Sequence, residues 1–367
     1  MFPILAVLIG LLGVATALPF SRCQHYLIRG WDFPRLQIAI GLLVLAGGQI
    51  AAGWTERPIE WVVLGIAVVA LGVQARWILP YSIFAPKEVA EPRDPRPERS
   101  IRLLSANVLQ PNRNAAGFLA LVRRAAPDIV IVLEGNAWWQ ERLDVLEGEG
   151  YTHTMKCPLE NLYGMLVYSR RPLFGMSTQF LVDKECPSMH AIVELLSGER
   201  VTLHVLHPAP PSPTENETSE ERDAELVMVG KAVHGAKRPA IVAGDLNDVA
   251  WSATTRLFRK VSGMLDPRVG RGLFSSYHAK IPGMRWPLDH LFHSRHFCLN
   301  EIRRLPGFGS DHFPLLIDLQ LAADEKGEGL SADAEEEAWA EELLEDAGAD
   351  ESEVPDAAGD ENAKKDR

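Results

Sequence analysis

Three long apolar runs lie in succession at the N-terminal end of the chain, and they constrain its fold more than any other feature. Residues 1–21 carry no charged side chain, residues 36–55 form a second uncharged run, and residues 61–75 form a third. A membrane-spanning helix needs about 20 mostly apolar residues. The third run reaches that length if Arg76 extends its side chain towards the interface. The sequence therefore predicts three transmembrane helices, near residues 2–20, 36–55 and 61–81.

Aromatic residues flank these runs, as they do at membrane–water interfaces: Trp31, Trp54, Trp61, Trp77 and Tyr81. Two alternatives remain open. The second and third runs could form a helical hairpin inside a soluble core, although three runs in succession argue against it. The first run could be a signal peptide with Ala15-Thr16-Ala17 as its cleavage site, but no Lys or Arg precedes it.

Positive charges beside the runs predict the orientation. Basic residues follow the first run and the third run: Arg22, Arg29, Arg35, Lys87, Arg93, Arg96 and Arg99. With three spans both groups lie on one side, opposite Arg57 and the N-terminus. Because cytoplasmic loops carry an excess of Lys and Arg, we expect a multi-pass inner-membrane protein with its C-terminal domain in the cytoplasm. Cleavage of the first helix would instead place that domain outside.

Composition divides the chain into four segments. A membrane domain at residues 1–85 precedes a linker at 86–99, whose four prolines and many charges predict a stiff, extended segment. Residues 100–321 carry alternating strand and helix patterns and form the predicted catalytic domain. Residues 322–367 hold 18 acidic and 4 basic side chains, which predicts a disordered acidic tail with a short helix near 334–346.

The tail explains the formal charge of −12, because residues 99–321 carry 25 basic and 24 acidic side chains. A nearly neutral domain lacks the basic surface of a non-specific duplex-binding protein. Nucleic acid therefore stays open as a substrate but is not favoured. Four cysteines in 367 residues exclude a disulfide-framed scaffold.

Strand patterns outnumber helix patterns in the predicted catalytic domain. The clearest is residues 128–134, a continuous apolar run typical of a strand buried on both faces. Further strands are predicted near 101–108, 164–169, 190–196, 201–207, 239–243, 288–293 and 313–321, and helices near 114–126, 136–148, 218–234 and 252–261. This balance predicts an α/β domain with two packed sheets and helices outside them, rather than one doubly wound sheet.

Several predicted strands end or begin at a polar residue, where rigid scaffolds hold binding and catalytic groups. In chain order these are Asn107, Glu134, His207, Asp245 with Asn247, Asp289, and Asp311 with His312. Each alone has an ordinary interpretation, such as a turn for Asn107 or a surface carboxylate for Glu134. The complete ordered set is much harder to explain by chance.

This ordered set resembles the endonuclease/exonuclease/phosphatase superfamily of metal-dependent phosphoesterases. The motifs that carry the resemblance are Ser105-Ala106-Asn107, Leu133-Glu134, Gly244-Asp245-Leu246-Asn247, Leu288-Asp289 and Ser310-Asp311-His312. The N-terminal helices and the stretches 210–225 and 278–290 resemble a bacterial membrane-bound branch. The resemblance implies a four-layer sandwich of two mixed β-sheets flanked by helices, here preceded by the bundle of three transmembrane helices. It also implies a divalent cation, Mg²⁺ with Mn²⁺ as the alternative.

The resemblance implies a metal site with Glu134 as the chief ligand, completed or supported by Asn107 and Asp311. Oxygen ligands suit Mg²⁺, which keeps several waters and needs only one or two carboxylates. One departure from the family pattern affects the number of metals and the nuclease interpretation. Leu109 occupies a position at which some nuclease members carry an acidic residue.

The remaining site residues also take their roles from the resemblance. Asp245 would deprotonate the attacking water, and Asn247 would orient that water, as a carboxylate within hydrogen-bond reach can do. His312, held by Asp289, would contact the phosphoryl oxygens as an imidazolium, with His207 as a second contact.

We therefore expect a membrane-anchored, Mg²⁺-dependent hydrolase of phosphodiester, phosphomonoester or lipid-linked pyrophosphate bonds, acting by metal-assisted attack of water. Its expected partners are a phosphate-ester substrate, including a membrane lipid, and the bilayer; no protein partner is predicted. One alternative is an endonuclease or exonuclease acting on DNA or RNA. The other is an inactive membrane-tethered binding module, against which the nearly complete motif set argues. The sequence contains no P-loop, Gly-x-Ser-x-Gly motif or zinc-type Cys/His cluster that would support a different chemistry.

Overall fold

The N-terminal part of the chain forms a bundle of apolar helices in the computed structural model, which describes residues 2–52, 57–236, 238–322 and 329–355. The helices are α1 (Phe2–Ala17), the short α2 (Tyr26–Arg29), α3 (Arg35–Ala51) and α4 (Pro58–Ile78). The last residues of the second predicted span, 53–55, lie outside the described residues.

The surface of this bundle is apolar as well as its centre. Helices α1, α3 and α4 pack around Ile9, Leu42 and Ala67, while Val44 and Val69 on the outer face are 67% and 68% exposed. Apolar side chains exposed in this way fit a surface that faces lipid tails. Within the described residues, two helices are long and apolar enough to cross a membrane. A third span follows if α2 and α3, which meet at a bend of 69°, count as one.

Two β-sheets form the centre of the second domain. The first sheet has the strand order β10-β11-β1-β2-β4-β3 and the second β5-β6-β7-β8-β9. The strands of the first sheet are β1 (Ser100–Asn107), β2 (Ile129–Leu133), β3 (His153–Cys157), β4 (Met165–Ser169), β10 (Phe297–Arg304) and β11 (Leu315–Leu321). Those of the second are β5 (Leu173–Gln179), β6 (Ser188–Glu194), β7 (Arg200–Leu206), β8 (Ala240–Asp245) and β9 (Asp289–His293).

The sheets pack face to face, and helices cover their outer faces. Alternate residues of the strands fill the space between the sheets, among them Leu103, Ile131, Leu203, Ile241 and Ile317. Helices α5 (Ala115–Ala125) and α6 (Ala137–Leu143) pack on the first sheet. Helices α7 (Glu220–Gly235) and α8 (Ala253–Ser262) pack on the second. The predicted four-layer sandwich of two mixed sheets is confirmed.

The strand directions bring the polar strand ends together. Strands β1 and β2 are parallel, as are β7 and β8, so the four strands form two pairs of neighbouring carboxyl ends. Strands β11 and β9 run antiparallel to β1 and β8, with Ser105 opposite Leu315 and Asp245 opposite Asp289. Their first residues therefore lie at the same end of the sandwich as the last residues of β1 and β8.

The predicted linker at residues 86–99 lies against the second domain instead of extending freely. Val89 is buried in the core between the sheets, and Glu88 forms an ion pair with Arg259 at 2.5 Å. The N–H of Leu299 donates to the carbonyl oxygen of Ala90 at 2.9 Å. An apolar side chain and a carboxylate with partners on the domain thus outweigh the extending effect of the prolines. The predicted domain boundaries on either side of this segment stay predictions.

The acidic tail contains a helix, α9 (Ala334–Ala347), at the place where the sequence predicts a short helix within a disordered segment. A capping box between Asp333 and Glu336 begins the helix. Trp339 and Leu343 are buried against the apolar surface of α7 and α8. The high content of Asp, Glu and Ala hides this narrow apolar stripe in the sequence. The predicted short helix at 334–346 agrees with the structure, whereas residues 323–328 and 356–367 lie outside the described residues.

Leu343→Ala should lower the free energy of unfolding by about 2–5 kcal/mol, the usual cost of removing a buried leucine side chain. Chemical denaturation of the full chain in detergent measures it. Glu342→Ala, an exposed change one residue away, is the matched control and should have little effect. Equal stability of the two variants would show that α9 does not pack as described.

Candidate active site

One cavity of about 290 Å³ lies at the end of the sandwich where the polar strand ends meet. Of the predicted site residues, it is lined by Asn107, Glu134, His207, Asp245, Asn247, Asp311 and His312. Asp289 lies behind His312, in contact with its ring. The structure therefore brings all the predicted site residues together at a single place.

Asn107 joins two carboxylates that come from different sheets. Its Nδ2 donates to Oε1 of Glu134 at 2.7 Å and to Oδ2 of Asp245 at 3.2 Å. Its Oδ1 accepts from the N–H of Leu109 at 3.0 Å, so this oxygen already has a partner. In this arrangement Asn107 supports the two carboxylates through Nδ2, while its Oδ1 keeps a second lone pair that could bind a metal.

Glu134 is held in an uncommon conformation at the end of β2. Its φ of 59° lies in the left-handed region, which residues other than glycine rarely adopt. The N–H of Gln110 donates to its Oε2 at 3.1 Å. Burial raises the pKa of Glu134 to about 7, although the hydrogen bond from Asn107 acts in the opposite direction. A carboxylate that is hard to ionise in a polar cavity is typical of a functional site.

A second group joins Asp245, His312 and Asp289. His312 Nδ1 lies 2.8 Å from Oδ2 of Asp289, and its Nε2 lies 3.5 Å from Oδ2 of Asp245. Burial opposes a charge on the imidazole, but the two carboxylates outweigh it and raise the pKa of His312 to about 10. Burial raises the pKa of Asp245 above its usual value, although the neighbouring His312 acts in the opposite direction. At neutral pH this group therefore contains an imidazolium between two carboxyl groups.

Asn247 and His207 complete the side of the cavity formed by the second sheet. The N–H of Asn247 donates to Oδ1 of Asp245 at 3.0 Å, and its Nδ2 donates to the carbonyl oxygen of Pro208 at 2.9 Å. Burial lowers the pKa of His207 to about 4, so its imidazole is neutral. The ring of His207 lies 5.3 Å from that of Tyr163.

Asp311 reaches the cavity from the segment before β11. The preceding residue, Ser310, donates its hydroxyl to the carbonyl oxygen of Asn107 at 2.8 Å. The same hydroxyl oxygen accepts from the N–H of His312 at 3.0 Å. The Ser-Asp-His motif is thereby fixed to the end of β1, which places Asp311 beside the cavity that Glu134 also lines.

Two sets of residues could hold a divalent cation. Within the described residues, one cluster has ligand atoms that all lie within 4.8 Å of one another: Asp245, Asp289 and His312. A protonated imidazole has no free lone pair for a metal, however, and the raised pKa of His312 favours that form. Glu134 and Asp311 offer oxygen atoms only, which suits Mg²⁺ better than Zn²⁺.

The sequence-based prediction gave no role in the site to several residues that line the cavity: Phe33, Leu162, Tyr163, Pro210, Pro211, Glu215, Tyr277 and Leu288. Tyr163 donates its hydroxyl to Glu215, and the ring of Tyr277 lies 4.9 Å from that of His312. The stretches 210–225 and 278–290, part of the family resemblance, pointed to some of these residues. Nothing in the sequence pointed to Phe33, which lies between the N-terminal helices α2 and α3.

A family model described as the Endonuclease/Exonuclease/phosphatase family matches residues 104–312. The human nocturnin catalytic domain with a bound sulfate anion is 18% identical, with a TM-score of 0.50 over 61% of this chain and 94% of that one. D. rerio TDP2 complexed with a single-strand DNA product is 16% identical, with a TM-score of 0.50 over 60% and 99%. An endonuclease/exonuclease/phosphatase from Beutenbergia cavernae DSM 12333 is 18% identical, with a TM-score of 0.49 over 61% and 72%. No curated protein matches the chain. At these identities, the likeness to the solved structures is one of fold.

Proposed function

The chain belongs to the endonuclease/exonuclease/phosphatase family, whose enzymes are metal-dependent hydrolases of phosphate esters, and on that premise we propose that it is a membrane-anchored, Mg²⁺-dependent phosphoesterase. Its substrate in this proposal is a phosphate ester or pyrophosphate carried by a lipid at the bilayer surface. The reaction is hydrolysis: water attacks the phosphorus atom and gives a proton to Asp245, and the P–O bond to the alcohol or phosphate leaving group breaks.

The observation that carries this proposal is the position of Asp245. This carboxylate is buried, lies between Asn107 and His312, and also accepts the N–H of Asn247. Its neighbours leave it able to take a proton from a water in the cavity, since a base must lie within hydrogen-bond reach of that proton. His312, charged and fixed by Asp289, is placed to stabilise negative charge on the phosphoryl oxygens.

In the proposed mechanism Glu134 and Asp311 hold Mg²⁺, which when bound neutralises phosphate charge and polarises the phosphoryl group. Asn107 fixes the carboxylate of Glu134 through its Nδ2. Asn247 keeps Asp245 in place through its backbone N–H. The neutral His207 can donate one hydrogen bond to the substrate from the opposite wall of the cavity.

The membrane domain supports a lipid substrate because it forms part of the cavity wall. Phe33, from the segment between α2 and α3, lines the cavity and packs edge-on against Trp286. Gln37 of α3 donates to the carbonyl oxygen of Gly283 at 3.0 Å. On the same loop Ile281 and Met284 are 43% and 48% exposed. Exposed apolar side chains on a loop beside the first turn of α3 favour a substrate presented by the bilayer over one that arrives from solution.

The same contacts and the charge bias support a proposed orientation of the catalytic domain. The segment between α1 and α3 contacts the catalytic domain, as does the segment after α4. The two segments therefore lie on one side of the membrane in this proposal, as they do when α3 and α4 both span it and return the chain to the same side. We place this side in the cytoplasm of the inner membrane because it carries most of the Lys and Arg near the spans.

Hydrolysis assays on the full chain in lipid nanodiscs, with Mg²⁺ or with EDTA, test the function. The substrates are a lipid pyrophosphate, an anionic phospholipid, bis(p-nitrophenyl) phosphate and single-stranded DNA. We expect Mg²⁺-dependent hydrolysis of a lipid substrate. Cleavage of DNA without cleavage of any lipid would favour the nuclease alternative. No hydrolysis of any substrate would favour the inactive binding module.

Asp289→Asn should lower turnover less than Asp245→Asn does, because this change loosens the imidazole of His312 without removing it. It should also move the alkaline limb of the pH–activity profile downward, since the carboxylate of Asp289 helps to raise the pKa of His312. A pH profile of kcat measures both effects. Asp318→Asn, a carboxylate paired with Arg102 at the other end of the sandwich, is the control. An unchanged alkaline limb in Asp289→Asn would contradict the role given to this pair.

A further inference from the structure

The loop that directly follows Asp245, the proposed base, contacts the membrane domain at two places. This loop, residues 246–252, is called here the base loop. The hydroxyl of Tyr81, at the end of the last membrane helix, donates to the carbonyl oxygen of Ala250 at 2.7 Å. The indole Nε1 of Trp251 donates to the carbonyl oxygen of Asp32 at 2.7 Å. Two separate parts of the membrane domain thus contact a loop of seven residues.

These contacts are buried as well as direct. Tyr81 and Trp251 are both buried, with ring centroids 6.2 Å apart in an edge-on arrangement. They belong to an apolar cluster with Val249 and Leu288, against which Phe33 packs. Loss of a buried hydrogen bond destabilises a protein more than loss of one in water, because the remaining partner is left unsatisfied.

A chain of buried charges makes a third connection to the base loop. Arg222 donates to the carbonyl oxygen of Asn247 at 2.9 Å, and Asp223 holds its guanidinium through two hydrogen bonds of 3.0 and 2.7 Å. Arg29 of α2 lies 3.6 Å from the other carboxylate oxygen of Asp223. All three charged side chains are buried. Arg222 also lies 3.5 Å from Asp248, so the chain holds two guanidinium and two carboxyl groups, and removal of Arg29 leaves a buried carboxylate uncompensated.

The chain of charges ends at the backbone of Asn247, which contacts the base, while Tyr81 and Asp32 hold the later part of the same loop at Ala250 and Trp251. The N–H of Asn247 donates to Oδ1 of Asp245, and the carbonyl oxygen of the same residue accepts from Arg222. Asn247 has a φ of 51°, in the left-handed region, so its backbone conformation depends on its neighbours. A displacement of about 1 Å at a reacting group can reduce a rate about 10²-fold.

We propose that the membrane domain positions the catalytic base through the base loop, with Tyr81 and Arg29 as positioning residues for Asp245. The anchor is then a part of the active site, and the catalytic domain reaches full turnover only when it is seated on the membrane helices. This inference rests on the proposed function, because it assumes that Asp245 acts as the base. Neither Tyr81 nor Arg29 lines the cavity.

The chain offers a close control for Tyr81. Tyr151 is also buried, with 1% of its surface exposed against 4% for Tyr81. Its hydroxyl also donates to a backbone carbonyl, that of Pro127, at 2.8 Å. Each hydroxyl also interacts with an arginine, Arg259 for Tyr81 and Arg170 for Tyr151. Pro127 precedes β2 and lies at the opposite end of the sandwich from the cavity, so Tyr151→Phe removes the same chemical group without touching the base loop.

The first experiment compares Tyr81→Phe with Tyr151→Phe in the full chain, in nanodiscs, with the best substrate of the panel above. We expect similar falls in the thermal midpoint, a drop in kcat of about 10-fold for Tyr81→Phe only, and a KM within about twofold of wild type. Hydrogen–deuterium exchange should be faster in residues 246–252 of Tyr81→Phe and unchanged there in Tyr151→Phe. Equal kcat in the two variants overturns the proposal, whether or not the exchange differs.

The second experiment tests the buried charges. Arg29→Met should lower kcat about 10-fold with little change in KM, and Arg29→Lys should recover most of the loss by restoring the positive charge. Arg22→Met is the control, because Arg22 lies in the same connecting segment but forms an exposed ion pair with Glu335. An equal kcat in Arg29→Met and Arg22→Met overturns the part given to Arg29. Arg29→Lys as inactive as Arg29→Met also overturns it.

The outcomes separate this inference from the proposed function. A wild-type chain that hydrolyses none of the substrates removes the proposed function, and the inference with it. A wild-type chain that hydrolyses its substrate, combined with equal kcat in Tyr81→Phe and Tyr151→Phe, removes the inference alone.

Discussion

Asp245→Asn should lower kcat by about 10²–10⁴-fold, the range for loss of a positioned proton acceptor, while the protein stays folded. Asparagine keeps the shape of the side chain, and its oxygen can still accept the N–H of Asn247. It lacks the basic carboxylate that takes the proton from water. Steady-state kinetics with the best substrate of the panel measures the change.

The control for this prediction is again Asp318→Asn, a carboxylate with an arginine partner that lies far from the cavity. It should leave kcat within about twofold of wild type, as changes away from the site usually do. If Asp245→Asn keeps most of its activity while Glu134 remains essential, another group takes the proton. The role given to Asp245 would then be wrong, although the family would still be right.

The sequence predicted the inner strands of both sheets and missed three of the four strands at the sheet edges. The run at 128–134 appears as β2 in the middle of the first sheet. The missed strands β3, β5 and β10 each lie at an edge of a sheet. An edge strand has fewer covered residues, so its sequence mixes apolar and polar side chains in the way that a loop does.

The candidate site was predicted from the sequence because its residues occupy strand ends. Two pairs of parallel strands and two antiparallel neighbours bring Asn107, Asp245 and Asp289 to one end of the sandwich, and this arrangement follows from the fold. The contribution of Phe33 does not follow from it. The contact depends on how two domains pack, and an apolar residue beside a membrane helix has the same appearance in the sequence whether it faces lipid, solvent or a cavity.

The acidic tail shows the limit of reasoning from composition. Its many Asp and Glu residues predict disorder, but Trp339 and Leu343 find an apolar surface on α7 and α8. Lys231 and Lys260 on those helices pair with Glu341 and Glu336. A small number of apolar residues at helical spacing is enough to hold a helix in place when a partner surface exists. The sequence of the tail alone does not show that surface.

Glu134→Ala should reduce Mg²⁺-dependent hydrolysis by about 10³-fold or more. A metal supplies several kcal/mol of charge stabilisation in the transition state, and about 1.4 kcal/mol corresponds to a tenfold change in rate. Glu160→Ala is the control, because this exposed carboxylate lies near the cavity without lining it. Near-normal turnover in Glu134→Ala would contradict its role as the chief ligand.

Thermal unfolding gives a second readout of Glu134 that does not depend on activity. Burial raises the pKa of this carboxyl to about 7, above the value of an exposed glutamate. At pH 8 without metal, the folded wild-type protein must therefore hold an ionised carboxylate that burial disfavours, which lowers the free energy of unfolding. This destabilisation is lost as the pH falls and the carboxyl group takes up its proton. Glu134→Ala removes this destabilisation, so at pH 8 without Mg²⁺ its thermal midpoint should equal or exceed that of wild type.

Added Mg²⁺ should raise the thermal midpoint of wild type and of Glu160→Ala by binding the folded state, and should leave the midpoint of Glu134→Ala unchanged. An equal rise in all three proteins would mean that Mg²⁺ binds at another group, of which Asp245, Asp289 and His312 are the nearest candidates.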